Sequence, residues 1–383
     1  MKFVHIADMH FDAPFTSLNA VENLGEKRRL EQRNAFRKII DFVLKNDVEY
    51  LFIAGDLYEH EYVRKSTIDF IAKEFNRIKD TKIFITPGNH DPYVRNSYYD
   101  TYDFGDNVYV FNSSNIEKFE DENVNVYGMA FTEFYMNNSA LENINLPFSS
   151  KLNILVAHCD LNGSKDEEGF SYNPILESKL NSIGFDYIAL GHVHKNNLDN
   201  KNRTYYPGST ISLGFDELGS HGMIAGEITK DRFSMEFVEL DDRKFEELVI
   251  SVDDTYSKED LCEKILNRYL NDMVMYKVIL KGKRNFEIDT RELLRVLSHE
   301  NILKIKDLTK QERAKRLNET NVDTNIRLNS TINELKEYSK TFISYAIYPD
   351  HYNVSENFYE IIEDDSKSYP FKHDTLREFV VGE

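Results

Sequence analysis

Five short segments of this chain place Asp, His or Asn where an apolar run ends. They are Asp8-Met9-His10 after VHIA, Gly55-Asp56 after YLFIA, Gly88-Asn89-His90-Asp91 after KIFITP, Ala157-His158 after LNILV, and Gly191-His192-Val193-His194 after DYIAL. Carboxylate, imidazole and amide groups without a thiolate suit borderline or hard divalent ions such as Mn²⁺, Zn²⁺ or Fe²⁺, and enough of them are present for two ions. Two such ions, about 3.5–4 Å apart, can share one carboxylate and clamp the attacking and leaving oxygens of a phosphate ester. Asp56 is the residue expected to be shared. Taken singly, each segment is ordinary turn chemistry. Together they hold five of the eleven histidines, each cluster at the end of an apolar run, which turns alone do not require.

For these clusters to meet, the runs before them must be strands of open α/β sheets, whose carboxyl-end loops converge on one crevice. The spacing agrees. Phe36, Ile39, Ile40, Val43 and Leu44 fall on one helical face, and Ile68, Ile71, Ala72, Phe75 and Ile78 on another, with the short run YLFIA between them. Apolar strands joined by helices read as a parallel sheet with helices on its faces. The later runs VYVF, NVYGMAF, LNILVAHCD, DYIALGHVH and MIAGEI lie closer together, more like paired strands than crossovers. The expected fold is a mixed-sheet α/β sandwich over residues 1–240. After the charged DDRKFEEL, a small α/β cap over 241–310 carries helices near Lys258–Leu270 and Thr290–Leu297. A helical C-terminal region over 311–383 follows, with Ile332, Leu335, Tyr338, Phe342 and Tyr345 as an apolar stripe too thin to form its own core. Gly55, Gly88 and Gly191 are expected to let the chain turn sharply at strand ends. Asp12 is read as a turn cap, and Cys159 as a small buried residue behind the site.

The chain has 383 residues, a formal charge of −19, two cysteines and 41% hydrophobic residues, enough to build ordinary cores. Two cysteines cannot make a disulfide framework, and no apolar run approaches the roughly 18–20 residues of a membrane span. The N-terminus reads as a first strand rather than a signal peptide, so a cytoplasmic protein without membrane contact is expected. The acidity argues against a freestanding nucleic-acid binder, because phosphate neutralisation needs Lys and Arg.

The order DxH, GD, GNHD, H, GHxH resembles the calcineurin-like metallophosphoesterase superfamily. The opening FVHIADMHFDAPF, the GDLY after the second strand and YPGS at 206–209 are similar to the SbcD-type DNA repair exonucleases, in particular the YhaO-like branch. The resemblance covers residues 1 to about 225 by motif, and beyond 241 by layout alone. It implies one metal held by Asp8, His10, Asp56 and His194, and a second by Asp56, Asn89, His158 and His192, most often manganese. It also implies that His90 contacts the scissile phosphate and protonates the leaving oxygen, that Asp91 holds the other His90 ring nitrogen, and that a metal-bound hydroxide is the nucleophile. Where some relatives carry a second histidine three positions after the GD aspartate, this chain has Glu59, with His60 next. Further implications are a cap that contacts DNA, helices that dock on an SbcC-type SMC-like ATPase, and a homodimer. Lys281, Lys283 and Arg284 beside Phe286 are the candidate strand contacts, with Arg313, Lys315 and Arg316 behind them. The function implied is that of a hydrolase, a DNA exonuclease with possible single-strand endonuclease activity. The alternatives are a phosphodiesterase of small or cyclic-nucleotide substrates and a non-catalytic assembly subunit.

Overall fold

The computed structural model describes residues 1–311 apart from 16–17, 19–23, 147–148, 164, 166–167, 269 and 298–300. The stripe of the C-terminal region and the basic residues Arg313, Lys315 and Arg316 lie outside the described residues.

The chain begins β1 (Lys2–Ile6), α1 (Leu24–Asn46), β2 (Tyr50–Ile53), α2 (Lys65–Phe75), β3 (Lys82–Ile85), the single turn α3 (Tyr98–Thr101) and β4 (Val108–Val110). It continues β5 (Glu117–Glu120), β6 (Val124–Gly128), β7 (Leu152–His158), α4 (Glu177–Ser182), β8 (Tyr187–Gly191), β9 (Thr204–Tyr205), β10 (Gly222–Ile228) and β11 (Phe233–Glu239). One sheet runs β11-β10-β1-β2-β3-β4 and the other β5-β6-β7-β8-β9. Successive side chains of each strand point to opposite faces, which explains the unbroken apolar runs. Phe3, Tyr50, Phe52 and Phe84 of the first sheet meet Val126, Ile154, Val156 and Tyr187 of the second in the core between the sheets. Val4, Ile6, Leu51 and Ile53 face outward onto Phe36, Ile39, Ile40 and Val43 of α1 and onto Ile68, Ile71 and Phe75 of α2. On the far side, Leu155, Ala157, Ile188 and Leu190 pack with Leu180 of α4. The result is a helix–sheet–sheet–helix sandwich.

Three local readings change. Leu44 is 45% exposed, off the buried stripe of α1 that ends at Val43. Ile78 is buried but lies beyond the end of α2. β6, β7 and β8 are parallel neighbours joined by long crossovers, while among the described residues only β5–β6, β10–β11 and β1–β10 pair antiparallel.

A histidine is buried between the sheets. His5, fully buried, has Nδ1 3.0 Å from the Tyr187 hydroxyl and Nε2 3.1 Å from the Leu190 carbonyl. Burial, partly offset by the Leu190 bond, pushes its pKa down to about 3. The unfolded chain therefore takes up a proton at His5 near pH 6.5 while the folded chain does not, so stability is lost as pH falls from about 6.5 towards 3. At about 1.4 kcal/mol per pH unit, moving from pH 6.5 to pH 5 costs about 2 kcal/mol through this one group. Urea unfolding at pH 7 and pH 5 should show that loss in the native chain and a loss smaller by about that amount in His5→Gln. Equal losses in the two proteins would contradict the account.

The chain then forms β12 (Lys244–Ser251), α5 (Lys258–Leu266), β13 (Val274–Lys281), the short β14 (Lys283–Arg284), α6 (Thr290–Leu297), β15 (Ile302–Asp307) and β16 (Lys310–Gln311). β12-β13-β15 is an all-parallel sheet, with α5 and α6 closing one face over Ile250, Val278, Leu280, Leu261 and Leu293. α5 ends at Leu266, a turn before the expected Leu270. At the base of the other face, Phe245, Met275 and Leu303 pack on Ala13, Phe15, Leu18 and Leu24, just after the DxH segment. Arg28 of α1, fully buried, makes a two-pronged contact with Asp241 and also bonds Glu31, which in turn holds Arg243. Breaking such a buried pair leaves an uncompensated charge and costs about 3–5 kcal/mol, so the linker from β11 to β12 is firmly tied to α1. No helix among the described residues is long and apolar enough to cross a membrane.

Candidate metal centre

Five strand ends converge. β1 delivers Asp8 and His10, β2 Asp56, β3 Asn89 and His90, β7 His158 and β8 His192 and His194. The approach is closer than ordinary turns allow. A Cβ at Gly191 would lie 1.8 Å from the Ala54 carbonyl oxygen, one at Gly55 would lie 2.2 Å from His158 Nδ1, and one at Gly88 would lie 2.3 Å from Asp56 Oδ1. Gly55 also has φ +90, whereas Gly88 and Gly191 have no left-handed backbone. Those two glycines supply room rather than turning freedom, which corrects the expectation for them. The strain sits on the functional residues themselves. Asp8, His10, Asp56 and His192 have φ of 50, 48, 52 and 106. Left-handed backbone costs a non-glycine residue roughly 1–2 kcal/mol and concentrates at functional sites.

The hydrogen bonds dictate where positive charge is needed. His158 Nδ1 lies 2.9 Å from the Ala54 carbonyl and so must carry its proton there, leaving a lone pair on Nε2. That lone pair faces Asn89 Oδ1 at 3.0 Å and Asp56 Oδ2 at 3.3 Å. His10 Nδ1 donates to Glu59 at 2.8 Å, and His194 Nδ1 donates to Glu217 at 2.5 Å. Their Nε2 atoms then confront each other at 3.0 Å, with Asp56 Oδ2 3.7 Å from His10 Nε2 and Asp8 Oδ1 3.9 Å from His194 Nε2. Two groups of acceptors thus converge without a donor between them, and Asp56 Oδ2 borders both. In the absence of a metal, protons meet the demand. Burial lowers the proton affinity of His158, but Asp56 outweighs it and carries the pKa up to about 9. His194 likewise rises to about 9 against its burial, through Glu217 and Asp8. Burial works to raise the Asp56 carboxyl, yet His158, His10 and His90 hold it well below the usual range. The same region holds three overlapping candidate groups for a divalent ion. Ligand atoms of Asp8, His10 and His194, of His10, Asp56 and His90, and of Asp8, Asp56 and His158 each lie within 4.8 Å of one another.

His192 stands apart. Its backbone N–H bonds the Asp8 carboxylate, and its ring lies 5.2 Å from that of His158 and 5.2 Å from that of Tyr172, outside the three convergent groups. Asp91 is also placed differently from expectation. Its carboxylate accepts the backbone N–H of Asp56, Leu57 and Gly88 and the Tyr99 hydroxyl, and it does not hold the His90 ring. It is a buried clamp on the β2 and β3 loops. Glu59 Oε2 binds His90 Nδ1 at 2.9 Å instead, while Glu59 Oε1 binds His10. Burial opposes ionisation of Glu59, but its two histidine partners hold it down to about 2. Desolvation works to lower the His90 pKa, but Glu59 chiefly carries it up to about 9, and the His90 backbone N–H bonds Asp56 Oδ1.

Glu217 is the functional residue that sequence reasoning missed. It lies 23 positions after His194 in a loop, with no periodic signal, and is itself steadied by the Ser209 hydroxyl and the Leu213 N–H. A carboxylate behind a ligating histidine fixes its tautomer, and removing one typically costs about 10–100-fold in metal affinity. Glu217→Gln should weaken Mn²⁺ binding by about that factor in a calorimetric titration while leaving the fold intact. Unchanged affinity would mean that His194 is oriented without it.

His60 bonds the His90 carbonyl through its backbone N–H, and its ring rests against Phe134. Asp12 accepts from Arg64 N–H and the Thr67 hydroxyl at the start of α2. Cys159 is buried, and burial pushes its thiol up, away from ligation. In the stretch from β12 to β16, Lys281 and Lys283 are exposed. Arg284 is not available for a strand contact, because its guanidinium bonds Thr309 and the Phe286 carbonyl and pairs with Asp307. Lys304 and Lys306 of β15, beside Lys277 and Ile279 of β13, extend the lysine-bearing face that Lys281 shares.

This is the sandwich and the strand-end metal centre of a metallophosphoesterase. The family model for the calcineurin-like phosphoesterase matches residues 1–196, and the chain belongs to that family. It is similar to the uncharacterized metallophosphoesterase YhaO of Bacillus subtilis, 24% identical over 297 residues that cover 74% of this chain and 72% of that protein. It is also similar to the SbcD component of the SbcCD nuclease of Staphylococcus epidermidis, 25% identical over 252 residues, 57% of this chain and 63% of that protein.

Proposed function

We propose that this chain is a two-metal phosphodiesterase that cleaves DNA as an exonuclease in repair, with manganese as its ion and an SbcC-type coiled-coil ATPase as its partner. The hydrolytic part is carried by one observation, the two groups of facing acceptors that share Asp56 Oδ2. Asp8, His10, Asp56 and His194 would hold one ion and Asp56, Asn89 and His158 the other, with the His192 ring turning in to complete the second. When bound, two divalent ions lower the pKa of a water molecule and neutralise charge on the phosphate. The oxygen- and nitrogen-only donor set favours manganese over thiophilic alternatives.

The protein's own groups do the rest. Glu59 holds the proton on His90 Nδ1, which leaves Nε2 of the ring, 46% exposed in its side chain, as the nitrogen that would give a proton to the leaving oxygen. Asp91 holds the two loops that carry Asp56 and His90 in register. Similarity to a nuclease component supports DNA as the substrate, and so does a module over 241–310 docked beside the DxH loop with exposed Lys281 and Lys283. The test is release of nucleotides from single- and double-stranded DNA with Mn²⁺, alone and with the ATPase. Hydrolysis of a generic phosphodiester with no release from either DNA would overturn the DNA reading and favour small substrates.

A further inference from the structure

We propose that a cleft at the rim of the metal centre, between Ser114–Asn115 and the segment 132–140, receives the base of the nucleotide adjoining the scissile phosphodiester, stacked on Tyr135. The inference rests on the nucleic-acid reading above and names the part of the substrate that the metal centre itself does not recognise.

The segment that forms one wall leaves the crevice step by step. The buried Phe131 ring lies 5.7 Å from His158, and its carbonyl accepts the Tyr93 N–H. The Phe134 ring lies 5.7 Å from His60, the residue tied to the His90 carbonyl. Tyr135 is next and turns into the cleft. Phe134 and Tyr135 are 49% and 39% exposed, two adjacent aromatic rings at the edge of a polar site. Tyr135 is held before any ligand arrives. It stacks on Phe170 with ring centroids 4.4 Å apart and planes at 27°. The loops on either side are joined by Met136 N–H to the Ser171 carbonyl, Asn173 N–H to the Met136 carbonyl, and Ser171 N–H to Asn137 Oδ1. A ring fixed on one side by a stacked neighbour and lining a cleft on the other is a stacking platform.

The cleft has about 450 Å³ of space, within the range of small-ligand sites. Besides Tyr135 its lining offers the neutral amides and hydroxyls of Asn115, Asn137, Asn138, Ser114 and Thr132. It contains Glu133 and neither Lys nor Arg, so it repels phosphate and suits an uncharged edge with both donors and acceptors. A nucleobase is such a group. Phosphate goes to the ions, and the base goes to the cleft.

The experiment compares a single-stranded oligodeoxynucleotide with the same strand carrying abasic tetrahydrofuran residues, under Mn²⁺, using the full chain and its Tyr135→Ala and Tyr135→Phe variants. Base stacking on an aromatic ring is worth about 1–3 kcal/mol, so the native chain should prefer the base-bearing strand by about 5- to 150-fold in kcat/KM. Tyr135→Ala should bring that ratio near one with the abasic rate unchanged, and Tyr135→Phe should keep it. A ratio near one in the native chain, or one that survives in Tyr135→Ala, overturns the proposal. If no oligonucleotide is cleaved, the DNA reading fails and the cleft is decided by titration of dAMP against 2-deoxyribose 5-phosphate. Tighter dAMP binding that Tyr135→Ala abolishes keeps the base site, and equal binding of the two removes it.

Discussion

Asp56→Ala should strip both ions and reduce phosphodiester hydrolysis by about four orders of magnitude or more. A divalent ion lowers the pKa of its water from about 15.7 to about 7, and loss of both ions removes that activation together with the charge that offsets the phosphate. The geometry explains why one residue has such reach. Asp56 Oδ2 lies 3.3 Å from His158 Nε2 and 3.7 Å from His10 Nε2, while Oδ1 accepts the His90 N–H. Deleting the carboxylate leaves no shared ligand, and it frees the backbone that presents His90. Metal content by mass spectrometry and turnover on a generic phosphodiester are the readouts, with circular dichroism to show that the sandwich persists. Retention of one ion at near-stoichiometric level would show that Asp56 serves a single ion.

His90→Ala is expected to separate binding from turnover. A positioned acid contributes about 10²–10⁴-fold, so kcat should fall by that factor while metal content and KM stay close to those of the native chain. His90 Nδ1 is held by Glu59 rather than by Asp91, so Glu59→Gln should lower kcat in the same direction and Asp91→Asn should act on folding of the β2 and β3 loops. Loss of metal in His90→Ala would place that ring among the ligands, where its neighbourhood with His10 and Asp56 gives it the reach to belong.

The global charge of −19 stands against DNA binding only if charge is averaged over the surface. On the proposed reading two ions in the crevice would reverse the local sign where a phosphate arrives, and Lys281, Lys304 and Lys306 lie on one face of the β12-β13-β15 sheet, where Lys277 is paired with Glu247. Long-range repulsion remains, so the proposed DNA reading calls for a partner that delivers the strand.

The strands, the order of the clusters and their convergence were legible in the residues, because strands buried on both faces must be continuously apolar and their carboxyl ends must carry the polar loops. Local types also sufficed for α6 and the buried Cys159, whereas Asp12, expected to cap a turn, accepts from Arg64 and Thr67 at the start of α2. Partners across the fold were another matter. Glu59 and Asp91 are both acidic and both near His90 in space, and only packing decides that the buried Asp91 turns to backbone N–H groups while Glu59 reaches the ring. Glu217 reaches His194 from a loop without periodicity, and Phe170 comes under Tyr135 from 35 positions away. The amino-acid sequence by itself determined which side chains can bind metal and which strand ends bear them, since those follow from side-chain chemistry and burial pattern. The tertiary structure alone decided which nitrogen of each histidine is free and which carboxylate stands behind it, where room is so short that Gly88 and Gly191 admit no side chain, and which aromatic ring lines the cleft, because these depend on approaches between segments that no local pattern encodes.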